Sequence, residues 1–171
     1  MLVITKRADT TSTVDVEVSL TFDVRKKSRF KTFSVDGEEV GIFLERGAIL
    51  SGGDCLMSED GRVVRVVAKD ELLLQINRGS SRSLAQLAYH LGNRHVSIEI
   101  DVDSLRIAYD EVLKDMVEGL GAQTLAVTAP FHPESGAYGG GHSHGSEHGK
   151  GRGPIIHEFT PLTDLSVDDD A

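Results

Sequence analysis

Three observations predict an α+β chain: an N-terminal all-β domain, a ferredoxin-like βαββαβ domain, and a disordered His-rich tail. Apolar residues alternate at period two through the first third of the sequence. A strand, helix, strand, strand, helix, strand pattern follows. The last forty or so residues then lose apolar periodicity and fill with glycine and histidine. The boundaries predicted from these shifts are 1–74 for the β-rich part, 75–131 for the βαββαβ part and 132–171 for the tail.

In the first part, Val14, Val16, Val18, Leu20 and Phe22 alternate with Asp15, Glu17, Ser19 and Thr21, which predicts a strand with one buried face. Phe33-Ser34-Val35 runs into Asp36-Gly37, a dipeptide suited to a tight hairpin, and Val40, Ile42 and Leu44 resume the alternation. Gly47, Gly52 and Gly53 mark further turns. Asp60-Gly61 marks a second hairpin before Val63, Val64, Val66 and Val67. Short strands with regular turns predict a small antiparallel sandwich or barrel. The cluster Arg25, Lys26, Lys27, Arg29 and Lys31 lies within this region and reads as a solvated face, with a docking patch as the alternative.

In the second part, Leu72, Leu73, Leu74 and Ile76 form a short apolar strand. Ser80 and Ser81 are candidate caps for a helix whose apolar face is Leu84, Leu87, Ala88 and Leu91. Gly92-Asn93 should stop that helix through a left-handed residue. Val96, Ile98, Ile100 and Val102 then alternate as a strand, and Leu105–Ala108 forms another after Asp103-Ser104. Asp110 is placed to cap a second helix with apolar face Leu113, Met116, Val117 and Leu120. Gly121 ends it, and Thr124–Val127 supplies the last strand.

The chain has 171 residues, enough to bury a real core in one large or two small domains. Its net charge of -9 repels phosphate backbones and argues against general nucleic-acid binding. One cysteine, Cys55, excludes an intramolecular disulfide and a Cys-x-x-Cys site, and reads as a buried apolar residue. No apolar run approaches a membrane span and no signal segment is recognisable, so the expected compartment is the cytoplasm. There is no Walker loop and no His-Glu-x-x-His.

Histidine placement carries the chemistry. Residues 132–157 hold five of the seven histidines and eight glycines. His142, His144 and His148 are imidazoles on a flexible backbone, able to wrap a borderline divalent ion without preformed geometry. His157 sits beside Ile155 and Ile156, an apolar island able to dock on a folded surface, which makes it a further ligand candidate. His95 begins the expected central strand, where alternation places it with Ser97 and Glu99 on the face opposite the apolar residues. One imidazole is a poor metal site. Two copies of His95 brought to a two-fold axis, completed by tail histidines, would make a better one, so this reading requires a homodimer. His90 reads as a surface or packing residue, and His132 has no assigned role. Two alternatives stand beside metal carriage: a metal-dependent enzyme drawing on Glu99 as base, and a peptide-binding scaffold with an incidental tail.

The string Ala88-Tyr89-His90-Leu91-Gly92-Asn93-Arg94-His95 resembles the signature of the urease accessory nickel metallochaperone family. Asp23–Arg29, Gly41–Gly47, Asp110–Leu113, Pro130-Phe131 and Gly136–Gly139 followed by Gly-His-Ser-His resemble further family segments, in the same order. The resemblance implies a peptide-binding-type β domain, a ferredoxin-like metal domain, and a homodimer in which two copies of His95 share one nickel ion. It also implies handover to the urease-accessory GTPase and so to the apo-urease activation complex. Tyr109 and Glu111 stand where some relatives carry extra histidines, so that peripheral site is expected to be absent or changed. His157 resembles a tail histidine that supports the interface metal in some members. Affinity for imidazole sites normally rises to copper, so copper or zinc would compete with nickel. Binding should weaken below about pH 6.5, because only neutral imidazole ligates.

Overall fold

A computed structural model describes residues 1–10, 12–79 and 83–134. The N-terminal part contains β1 (Leu2–Arg7), β2 (Val16–Leu20), the short helix α1 (Phe22–Arg25), β3 (Arg29–Phe33), β4 (Glu39–Phe43), β5 (Cys55–Ser58) and β6 (Val63–Ala68). These strands form one six-stranded sheet in the order β2-β6-β5-β1-β4-β3. Alternation works as expected in β2, where Val16, Val18 and Leu20 are buried between more exposed neighbours. Both expected hairpins are present, with Gly37 and Gly61 at φ +87° and +91°, a conformation that glycine adopts without steric cost.

The sheet is mixed rather than antiparallel: β1 runs parallel to β4, and β2 parallel to β6. β1 was not foreseen as a strand, yet it lies between β5 and β4 near the middle of the sheet. A single sheet supplies one core of twelve buried residues, from Leu2 and Ile4 through Val64 and Val66. One face can enclose such a cluster only if the sheet curls. Val35 N–H donates to Glu17 O at 2.8 Å, linking the chain just after β3 to β2 at the sheet's opposite end. Cys55 is buried, as expected.

β2 stops at Leu20, short of the expected end at Phe22. Phe22 opens α1 instead and turns its ring edge-on to Phe131 at 5.4 Å. Arg25, expected on a solvated face, is 2% exposed. Its guanidinium donates to three backbone carbonyls, those of Leu20 and Leu50 at 3.3 Å each and that of Phe131. Burial lowers its pKa, partly offset by Glu71 and Asp54.

The C-terminal part contains β7 (Asp70–Asn77), α2 (Leu84–Gly92), β8 (Glu99–Ile100), β9 (Ser104–Ala108), α3 (Glu111–Gly119) and β10 (Gln123–Pro130). Its four strands pair antiparallel in the order β10-β7-β9-β8. The expected division at 74/75 falls inside β7. Leu74, Ile76, Leu87, Leu91, Leu105, Ile107 and Val117 form the core, with Leu113, Met116 and Leu120 packed against it. Asp110 caps α3 as expected, accepting from Leu113 N–H, and Gly121 follows it at φ +86°.

Two local expectations are corrected. The cap of α2 is Ser83 rather than Ser80 or Ser81: its hydroxyl accepts from Gln86 N–H while the Gln86 side chain accepts from Ser83 N–H, a reciprocal capping box. The strand expected over Val96–Val102 shortens to Glu99–Ile100. Val96 and Ile98 still pack on the core, but Ile100 and Val102 are exposed, because the chain turns away toward β9 at Asp101–Asp103. No described helix is long and apolar enough to cross a membrane.

Candidate metal centre

His95 sits in the turn that follows α2, not on a strand. Leu87 and Leu91 anchor α2 in the core. The left-handed residue expected within Gly92-Asn93 is at neither position, and Asn93 keeps helical geometry at φ -61°. The chain then tightens: Asn93 N–H donates to Tyr89 O at 3.0 Å, Arg94 N–H to Leu91 O at 3.0 Å and His95 N–H to Gly92 O at 2.9 Å. The left-handed residue is His95 itself, at φ +56° and the only non-glycine with positive φ among the described residues. That conformation costs a side-chain-bearing residue about 1–2 kcal/mol. It directs the exit of the chain and leaves His95 exposed at the end of α2.

Arg94 braces the turn through Nη1, which donates to His90 O at 2.8 Å. The His90 ring is half-buried and lies edge-on to Tyr89 at 5.7 Å. Glu99 does not share a strand face with His95. Its carboxylate pairs with Arg106, and Oε2 accepts from His132 N–H at 2.9 Å. With its side chain 12% exposed, Glu99 is held in a structural ion pair. His132 is exposed beside a cleft of about 360 Å³ that Phe22, Ile49, Ser97 and Glu134 also line.

At the peripheral position, Tyr109 Oη donates to Glu111 Oε2 at 2.6 Å, and Lys114 pairs with Glu111 at 3.0 Å. The Tyr109 bond, seconded by Lys114, lowers the Glu111 pKa, while the same bond raises that of Tyr109. Among the described residues, no three His, Cys, Asp or Glu side chains come together as a metal site. His95 therefore offers one imidazole from this set. His142, His144, His148 and His157 lie outside the described residues. So does Gly141-His142-Ser143-His144-Gly145, which has the Gly-x-Ser-x-Gly spacing of a nucleophile elbow but is preceded by no apolar strand in sequence.

Two family models match the chain in succession and together cover most of it. The UreE urease accessory protein N-terminal domain covers residues 3–69, and the corresponding C-terminal domain covers residues 71–159. They meet where the chain leaves the first sheet for the second, and together they define a two-domain accessory protein. The second match runs through His95 and all four tail candidates. The chain is 50% identical over 163 residues to "Urease accessory protein UreE" of Pseudomonas fluorescens strain Pf0-1, covering 93% of this chain and 98% of the relative. The protein of the same name from Azotobacter vinelandii is 47% identical over 162 residues, with the same coverage. The chain belongs to the UreE urease accessory protein family.

Proposed function

We propose that this protein is a nickel metallochaperone that serves urease maturation and is not an enzyme. The observation that carries the reading is the presentation of His95: an exposed imidazole at the end of a capped helix, held in a left-handed turn that a generic surface residue would not favour. In the working assembly, a homodimer brings two copies of His95 to one nickel ion, and His142, His144, His148 and His157 take up and retain the ion. The second domain is ferredoxin-like, in keeping with its βαββαβ order and its β10-β7-β9-β8 sheet. The partners are the urease-accessory GTPase and the apo-urease activation complex, and the compartment is the cytoplasm.

An incomplete set of neutral nitrogen donors suits a carrier, because the cargo must leave when a partner supplies better ligands. Copper and zinc compete for the same donors. The metal-dependent enzyme alternative loses support because Glu99, its nominated base, is occupied by Arg106.

Nickel titration by calorimetry, with oligomer mass measured in parallel, tests the proposal on wild type, His95→Ala and a chain ending at Tyr138. Uptake of one ion per dimer, lost with His95 and weakened by truncation, is expected. Uptake indifferent to His95 but abolished by truncation would confine metal binding to the tail and remove His95 from the mechanism.

A further inference from the structure

Although the chain carries a net charge of -9, one cleft of about 660 Å³ is lined by Lys26, Lys27, Ser28, Arg29 and Arg46. The backbone fixes both of its walls. Lys26 caps α1, with its N–H on Phe22 O, and Lys27 N–H donates to Val24 O at 3.0 Å. Leu44 N–H donates to Ser28 O at 2.8 Å and Leu50 N–H to Arg25 O at 2.9 Å, so two bonds stitch the 25–29 segment to the 44–50 loop. Gly47, at φ +87°, follows Arg46 in that loop, and Arg46 lines the same cleft as the lysines. The four cations are thus gathered by the fold against their mutual repulsion. Lys26 has an ion-pair partner, Asp23 at 2.5 Å; among the described residues no carboxylate pairs with Lys27, Arg29 or Arg46.

We propose that this cleft docks an acidic segment of a protein partner, an extended stretch carrying several Asp or Glu carboxylates. The four cationic side chains are all exposed and spread along the rim. A small inorganic anion is better held by buried, converging donors, whereas carboxylates spaced along a chain match charges spaced along a cleft. Arg29 and Arg46 can each take a carboxylate with two parallel bonds. The surface continues along β3, where Arg29, Lys31 and Phe33 share one exposed face, and Phe43 lies opposite Arg29 in register. Arginine beside exposed aromatic rings, as at Arg29 and Phe43, is a composition enriched in protein-binding surfaces. The overall negative charge disfavours a nucleic-acid occupant. This surface is independent of the metal reading.

The test titrates the ¹⁵N-labelled full chain with a hexaglutamate peptide at low salt. Amide shifts should centre on Lys27, Ser28, Arg29 and Arg46. The triple change Lys27→Glu, Arg29→Glu, Arg46→Glu should weaken binding about tenfold or more, while Arg65→Glu, Lys69→Glu, Lys114→Glu, of equal net charge, should change it by about twofold or less. Matching melting temperatures check the fold of both variants, and a Lys27→Gln, Arg46→Gln pair should give an intermediate loss. Equal weakening by the two triple variants would overturn the proposal, as would absence of peptide shifts. Tighter binding of inorganic tripolyphosphate or of phosphatidylserine vesicles at the same amides would also overturn it. Nickel uptake should be unchanged in the cleft variant, which keeps this outcome separate from that of the metal site.

Discussion

The Arg25 guanidinium donates to the carbonyl of Phe131, 106 residues further along the chain. Phe22 seconds the link twice, through its ring on Phe131 and through its N–H on Glu71 Oε1 at 2.6 Å. One buried cation thereby closes α1, the Leu50 loop and the end of the second sheet onto one another. Replacing Arg25 by Met keeps much of the apolar stem but leaves three carbonyls without their charged donor. A loss of about 3 kcal/mol is expected, read as a lower urea midpoint. A loss below about 1 kcal/mol would mean that water replaces the guanidinium at little cost.

The left-handed turn separates the structural from the chemical role of His95. Both His95→Ala and His95→Gly remove the imidazole, and both should lose nickel uptake. Their stabilities should differ, because glycine adopts φ +56° without strain. Gly is expected to be more stable than Ala by about 1 kcal/mol in thermal unfolding. Equal stabilities would indicate that the turn relaxes when the side chain is cut.

The capping box at Ser83 and Gln86 supports the helix that carries this turn. Ser83→Ala should cost about 1 kcal/mol. Faster hydrogen exchange at Leu84, Ala85 and Gln86 would localise the effect, and unchanged exchange there would assign the bonds no role.

Acid sensitivity has a defined local source. Arg62 binds Glu38 through two nitrogens at 2.8 and 3.0 Å, and its Nε binds Asp60 at 3.0 Å. The Ser58 hydroxyl and then Arg62 hold the Asp60 pKa at about 2, and the Arg62 bond lowers that of Glu38. Depressed carboxylates stabilise the fold above the ordinary carboxylate range, near 4, and lose that contribution as pH falls toward about 2. Arg62→Gln should lower the melting temperature at pH 6 and shrink the gap to wild type by pH 2. A gap constant across that range would exclude the network as the cause.

Most strands and both longer helices were legible in the sequence, because Val16-Val18-Leu20 and Leu84-Leu87-Leu91 each bury one face at the period of their element. β1 was not legible: its buried Leu2 and Ile4 are too few to register as a period, and its parallel pairing with β4 is a long-range choice. The burial of Arg25 was hidden for a related reason, since its three carbonyl partners lie 5, 25 and 106 residues away.

For the candidate site, the sequence placed His95 at the start of an expected strand just after a helix stop, its resemblance to a family motif made it a ligand candidate, and composition pointed to the tail histidines. Local patterns determine such features because periodicity and caps depend on neighbours within a few residues. Only the tertiary structure decided that His95 takes the left-handed turn, that Glu99 turns to Arg106, and that Arg25 is a buried clasp while its cationic neighbours line an open cleft. Those outcomes depend on which distant carbonyls and carboxylates the fold brings within bonding distance, and no local repeat encodes that.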